Sequence, residues 1–407
     1  MRKLHALALA GALIAGALVP SIASGKSDQA KVTKSDNVVE LGQNKYKGGT
    51  ELSTDGGKYL ISSELDGDYN PPSRGTMPEK GGMHIMDISK GGKPVEVGFL
   101  HCPGNDNDVE FVKPGLALLG FATNKCAPAA GEGFVTVDVR NPKKPRILGM
   151  VNTQTNHTFK PIPGTDYVYT AGGGLSGGGA AGPAIVDISN PAKPKVVGKG
   201  QTLTMDCHDI SFYVKGDTRL GFCAGAIGTG EVQIWDISDP ESPQQLGKIV
   251  NPLIQYSHYA VASPDGKLLA IDDEAFAAHD CNTGVSPTGR VWIYDISNPS
   301  LPLLQSSFAP PRGGDGTANI GTYPGWAPSW CLSHGLDWAP KGRNLAVTWF
   351  TGGWGVLNLD NPLQPTEVAY FQAEDSATYS VLWVGKYLYS NDMNSRGTEG
   401  FLIKGLK

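Results

Sequence analysis

The sequence predicts an all-β fold, a seven-bladed β-propeller closed into a ring by an N-terminal strand. Three observations carry that expectation. First, a segment of one grammar recurs at a spacing of roughly 50 residues, stretched in the later copies. The copies are MDISKGGKPVEVG from Met86, VDVRNPKKPRILG from Val137, VDISNPAKPKVVG from Val186, WDISDPESPQQLG from Trp235, YDISNPSLPLLQS from Tyr294 and LNLDNPLQPTEVA from Leu357. Second, two strand-like stretches joined by a turn recur upstream of these segments. Third, 54 glycines and 29 prolines in 407 residues, with few helix-forming charged stretches, favour short strands and turns.

Taken in chain order, the N-terminus reads as a secretory signal over residues 1–23. MRKLH supplies positive charge, ALALAGALIAGALV the apolar stretch, and Ser21 and Ala23 the small residues for cleavage near Ser24. An uncleaved anchor is the alternative, but the apolar stretch is short for a span of about 20 residues. No second transmembrane candidate follows. Residues 24–36 read as a flexible segment, and 37–407 as the propeller. NVVELGQ (37–43) is a spare strand-like piece that can complete the seventh blade, because an open ring leaves sheet edges unpaired.

The inner hairpins begin near Gly49, Asn107, His157, His208, His258, His334 and Tyr379. YAVASPDGKLLAI (259–271), with its Pro-Asp-Gly turn, shows their pattern. Each then leads through an apolar strand to Asp-Ile-Ser and Asn/Asp-Pro. The acid or amide can bond the turn's backbone, and proline cannot continue the strand. The VDISNPxxPxxVG units resemble the LVIVD-repeat proteins, secreted or surface-attached β-propellers. That resemblance covers nearly the whole mature chain and implies the fold and an extracytoplasmic location. It implies no defined activity and no functional residues.

Net charge is −5, and Lys and Arg form no basic run to match a phosphate backbone, so there is no footprint for nucleic acid. GGGLSGGGAAG (172–182) lacks a following Lys-Ser/Thr and opens no helix, which excludes a nucleotide-binding loop. No Gly-x-Ser-x-Gly nucleophile motif is present.

The histidines point to a site. Aligned on the turn glycines Gly216, Gly266 and Gly342, the residues His208, His258 and His334 share one position; His157 matches it with a shorter turn, Asn156 being the alternative occupant. Innermost strands line a propeller's axis, so four imidazoles should converge at one mouth of the channel. Neutral imidazole suits Cu, Fe, Zn or Ni. A histidine that merely bonds a neighbouring carbonyl should recur in all seven blades, and only four contiguous blades have one. The remaining heads are Gly49, Asn107 or Asp108, and Tyr379. Asp272, Asp273 and Glu274 end the fifth blade's second strand. They are candidates to orient a histidine or act as a base, as are Asp108, Tyr379 and His279, with solvated or structural roles as the alternative. His84 reads as structural, and His101 as a loop residue.

Six cysteines without a CxxC pair fit an oxidising compartment. All map to the histidine face, and proximity in the repeat pairs Cys102 with Cys126, Cys207 with Cys223 and Cys281 with Cys331; thiolate ligation of metal is the alternative. The longest insertions, 64–81, 274–288 and 307–333, lie on this face, the last with Tyr323, Trp326 and Trp330. Two functions therefore stand open. One is a metal-dependent oxidoreductase or lyase acting on a small molecule. The other is a non-catalytic module binding a surface protein or glycan at the loop-rich face.

Overall fold

The computed structural model describes residues 30–64, 81–103, 105–121, 132–153, 157–172, 182–199, 207–225, 230–274, 289–311, 332–394 and 396–406. All that follows concerns the compact unit Lys31–Lys407. Its described residues form 29 strands and no helix. The strands make seven antiparallel sheets, six of four strands and one of five. The innermost strands are Gly49–Thr54, Asn105–Lys113, Thr158–Pro161, Cys207–Lys215, Ser257–Ala262, Leu336–Trp338 and Thr378–Val384, and we number the blades 1 to 7 in that order. Each packs against the next and the seventh against the first, so the ring is closed.

Closure uses the strand Val38–Asn44, which pairs antiparallel with Gly397–Ile403 in the register Val38 to Ile403 and Asn44 to Thr398. The expected N-terminal closing strand is therefore present. Val32–Lys34, within the stretch read as flexible, pairs with Thr366–Ala373 as a fifth strand on blade 6. Its three side chains are exposed, so no alternation of apolar and polar residues marks it; backbone pairing alone recruits it.

The repeated grammar has a local cause. In each copy the Asp or Asn ending the third strand turns its side-chain oxygen onto the backbone two residues on. Asp87 accepts from the Ser89 amide at 2.9 Å, Asp187 from Ser189, Asp236 from Ser238 and Asp295 from Ser297, each of these three at 2.8 Å. The Asn before proline repeats the device: Asn298 accepts from the Ser300 amide at 3.1 Å. The glycine of the outermost strand has a long-range cause. A Cβ on Gly98 would lie 1.8 Å from the Pro142 carbonyl oxygen, and one on Gly247 2.3 Å from that of Pro299. The next blade's Asn-Pro turn is thus seated on a strand that only glycine leaves open.

The core lies between blade faces. Phe222, Val232 and Ile234 of blade 4 pack against Leu269, Ile271 and Trp292 of blade 5 in one buried cluster. Burial of each such side chain contributes roughly 1.5–3 kcal/mol. A blade buries both faces against its neighbours, so strands of blade centres read as near-continuous apolar runs, such as LALLGF at Leu116–Phe121.

Candidate metal centre

The heads of four innermost strands do converge. Ring centroids of His157 and His208 are 4.6 Å apart, those of His208 and His258 4.5 Å, and those of His258 and His334 4.1 Å. Tyr379 ends the arc, 4.0 Å from His334. His208, His258 and His334 are all buried. Phe350, with φ at 42°, lays its ring 4.8 Å from His334 in a left-handed conformation that non-glycine residues rarely hold. Gly172 lets the chain pass His157, since a Cβ there would lie 2.3 Å from the His157 nitrogen.

The histidines bond between blades. His208 Nδ1 lies 3.3 Å from the His258 carbonyl oxygen and His334 Nδ1 3.0 Å from that of Tyr379. His258 differs: its Nδ1 lies 3.4 Å from Asp272 Oδ2. A carbonyl oxygen only accepts, so Nδ1 of His208 and His334 carries the proton and Nε2 keeps its lone pair. The structural role and the ligand role therefore use different nitrogens of one ring.

Burial sets the charge. It pushes His157 down to about 4 and His334 down to about 3. His208 and His258 fall well below their ordinary value through burial first and neighbouring imidazoles second. Glu274 stands opposite, its Oε2 3.7 Å from His258 Nε2 and its Oε1 3.9 Å from His334 Nε2. Burial, then the charge of Asp273, pushes Glu274 up to about 8. At neutral pH the mouth holds uncharged imidazoles and a largely protonated acid, a set of donors with no cation among them.

Ligand atoms of His208, His258 and Glu274 all lie within 4.8 Å of one another. His334 adjoins this set through Glu274, and His157 adjoins it through His208. The other acids separate. Asp272 backs His258 and accepts from the Tyr259 amide at 2.5 Å. Asp273 turns away and accepts from the amides of Gln255 and Tyr256 at 3.1 and 2.9 Å. Asp108 is not at the mouth; it accepts from the Phe159 amide at 2.7 Å and faces Lys160. His279 and Asn156 lie outside the described residues. Cys207 and Cys223 form a disulfide beside His208, with Cα atoms 5.1 Å apart, so Cys207 is no thiolate ligand. Cys102 is also disulfide-bonded. Cys126, Cys281 and Cys331, with the aromatic loop Tyr323, Trp326 and Trp330, lie outside them as well. His101 ends a strand, Val95–His101, rather than lying in a loop.

One group of residues was missed. The alignment that selects the histidines, read three residues further, selects Glu110, Lys160 and Asp337, which line the channel. The signal was present but spread over unlike residue types.

The family model described as the LVIVD repeat matches residues 166–202 and 289–309. These are repeat segments of blades 3 and 5, and the match agrees with a propeller-type repeat protein. None of the curated proteins matches the chain. Among solved structures, the chain is similar to the β-propeller domain of Myceliophteria thermophila Cps50 (Swd1). The likeness covers 90% of this chain and 99% of that one, at 10% identity and a TM-score of 0.56. At that identity it bears on the fold alone. Among the described residues no helix is long and apolar enough to cross a membrane.

Proposed function

We propose that this chain is an extracytoplasmic propeller enzyme holding one transition metal at the loop-side mouth of its channel. His208, His258 and Glu274 are its ligands, with His334 and His157 completing the arc. The observation that carries the reading is the buried His-His-Glu set, its ligand atoms within 4.8 Å, its imidazoles neutral and Nε2 free of protons in His208. Two imidazoles and one carboxylate form a donor set used by catalytic zinc and by non-haem iron, which favours these over copper and nickel. Such a metal supplies Lewis-acid chemistry, and iron adds redox chemistry, on a small molecule. Around it, the Nδ1 bonds orient His208 and His334, Asp272 backs His258, and Phe350 and Tyr379 wall the arc.

Elemental analysis of protein purified without an affinity tag tests the reading, beside His208→Ala and Glu274→Gln. About one equivalent of metal in the native protein, lost in both variants with the propeller's circular dichroism unchanged, is the expected result. Full metal content in both variants, or no metal even after reconstitution, overturns it. The second outcome leaves a disulfide-pinned module binding a surface protein or glycan. The location is checked by N-terminal sequencing of protein recovered outside the cytoplasm, where a start near Ser24 is expected.

A further inference from the structure

A cavity of about 370 Å³ lies along the innermost strands, with His258 and His334 in its lining. Lys160, Glu51, Glu110, Asp209 and Asp337 stand on its walls, with apolar surface from Val261 and Leu382. The volume is in the range of small-molecule pockets and far above the roughly 30 Å³ that one water occupies.

The charges on these walls do not balance. Among the described lining residues Lys160 is the single lysine, and it is engaged: Nζ bonds Glu110 Oε1 and lies 3.7 Å from Asp108 Oδ1. Burial opposes its charge, and the carboxylates of Asp108 and Glu110 outweigh burial. That leaves Glu51, Asp209 and Asp337, from blades 1, 4 and 6, sharing the charge of the same Lys160, with hydrogen bonds from neutral groups only. Asp209 accepts from the Ile210 amide at 2.7 Å and Asp337 from the Trp383 amide at 2.6 Å. Asp108 Oδ1, fully buried, accepts no hydrogen bond. Burial raises Glu51 and Asp337 to about 7. Uncompensated acids around an open volume are costly unless a cation fills it. Among the described residues an anionic ligand finds no free positive group there, because Lys160 is already paired.

We infer that this cavity recognises an organic cation, a primary ammonium on a short apolar chain. Its charge lies among Glu51, Asp209 and Asp337, and its chain lies against Val261 and Leu382. An inorganic ion fits less well, because the three carboxylates are spaced around the ring and the volume is large. The inference deepens the reading above by naming the ligand class, and rests on it only for what the histidines do in the cavity's lining. It also moves the small-molecule site from the loop-rich face into the channel.

The test is calorimetry on the mature protein stripped of metal, at about pH 8, with n-butylammonium, 1-butanol and butyrate as probes. Butylammonium is expected to bind about tenfold or more tightly than butanol or butyrate, and Glu51→Gln and Asp209→Asn are each expected to weaken it about tenfold or more. Butylammonium binding no better than butanol overturns the inference, and so does unchanged affinity in both folded variants. Mg²⁺ binding at these carboxylates in place of the ammonium overturns it too, in favour of an inorganic cation site. Should a variant fail to fold, the contrast among the three probes on the native chain decides alone. Metal content, measured in parallel, separates the two readings: ammonium binding without any metal sinks the metal centre alone, and metal without ammonium binding sinks only this inference.

Discussion

Two groups of histidine and glutamate in this propeller use the same side chains and reach opposite charge states. In blade 1, His84 lies between two acids, Nδ1 2.7 Å from Glu96 and Nε2 3.1 Å from Glu64, with Tyr46 stacked on its ring at 4.0 Å. Burial pushes its pKa down, but the bonds and charges of the two glutamates outweigh burial and leave it raised. His84 lowers Glu96 in return. At the channel mouth, His258 and His334 face Glu274 at 3.7 and 3.9 Å, and there the histidines are lowered and the acid raised. The difference is how far the acids are buried. Glu64 and Glu96 are partly exposed, whereas Glu274 and Asp272 are buried and pushed up, so even Asp272, 3.4 Å from His258 Nδ1, does not offset desolvation there. The first arrangement ties an outer strand to its neighbours. The second keeps neutral donors apart with lone pairs facing a common point, the condition for binding a metal.

The comparison breaks most directly on metal content. His258→Ala is expected to abolish metal binding while His84→Gln leaves it at the native level, read by elemental analysis of both proteins. Metal retained in His258→Ala, or lost in His84→Gln, would show that the two settings do not differ as argued. A smaller effect concerns how firmly the arc is held. The Cys207–Cys223 bond spans 16 residues beside His208, so Cys207→Ser with Cys223→Ser is expected to cost about 3 kcal/mol in urea denaturation. A loss below about 1 kcal/mol would mean that packing alone holds the head of blade 4.

The smallest effect is the pH dependence of His84. Its folded pKa lies above the ordinary 6.5, so its contribution is complete below that value and is lost as pH rises through the folded pKa. His84→Gln should therefore cost about 1 kcal/mol near pH 6 and close to nothing near pH 9. The effect stays this small because Glu96 is 40% exposed and solvent screens the pair. Equal destabilisation at both pH values would assign His84 a packing role without charge.

How much of this was legible follows from the range of each cause. The Asp-Ile-Ser-Asn-Pro turns were readable because each is closed by a side chain bonding two residues away, as at Asp187 and Ser189. The histidine phase was readable because repeat position maps onto place around the axis. Val32–Lys34 was not, because an exposed edge strand leaves no side-chain pattern. Nor could the run Asp272-Asp273-Glu274 be divided by role. Adjacent residues on a strand point to opposite faces, and only the placement of the 255–256 backbone decides that Asp273 holds amides while Glu274 meets the histidines.

The sequence by itself determined the all-β class, the number of blades, the closing strand and the arc of four histidines, since these rest on periodicity and on turns closed within a few residues. It also singled out Cys207 and Cys223 as partners, through nearness within one hairpin. Only the tertiary structure decided which carboxylate joins the histidines, which nitrogen of His208 and His334 holds the proton, and that Glu51, Lys160, Asp209 and Asp337 surround one cavity. Those facts depend on distances between blades and on how far water is excluded, and both arise only when seven sheets close around an axis.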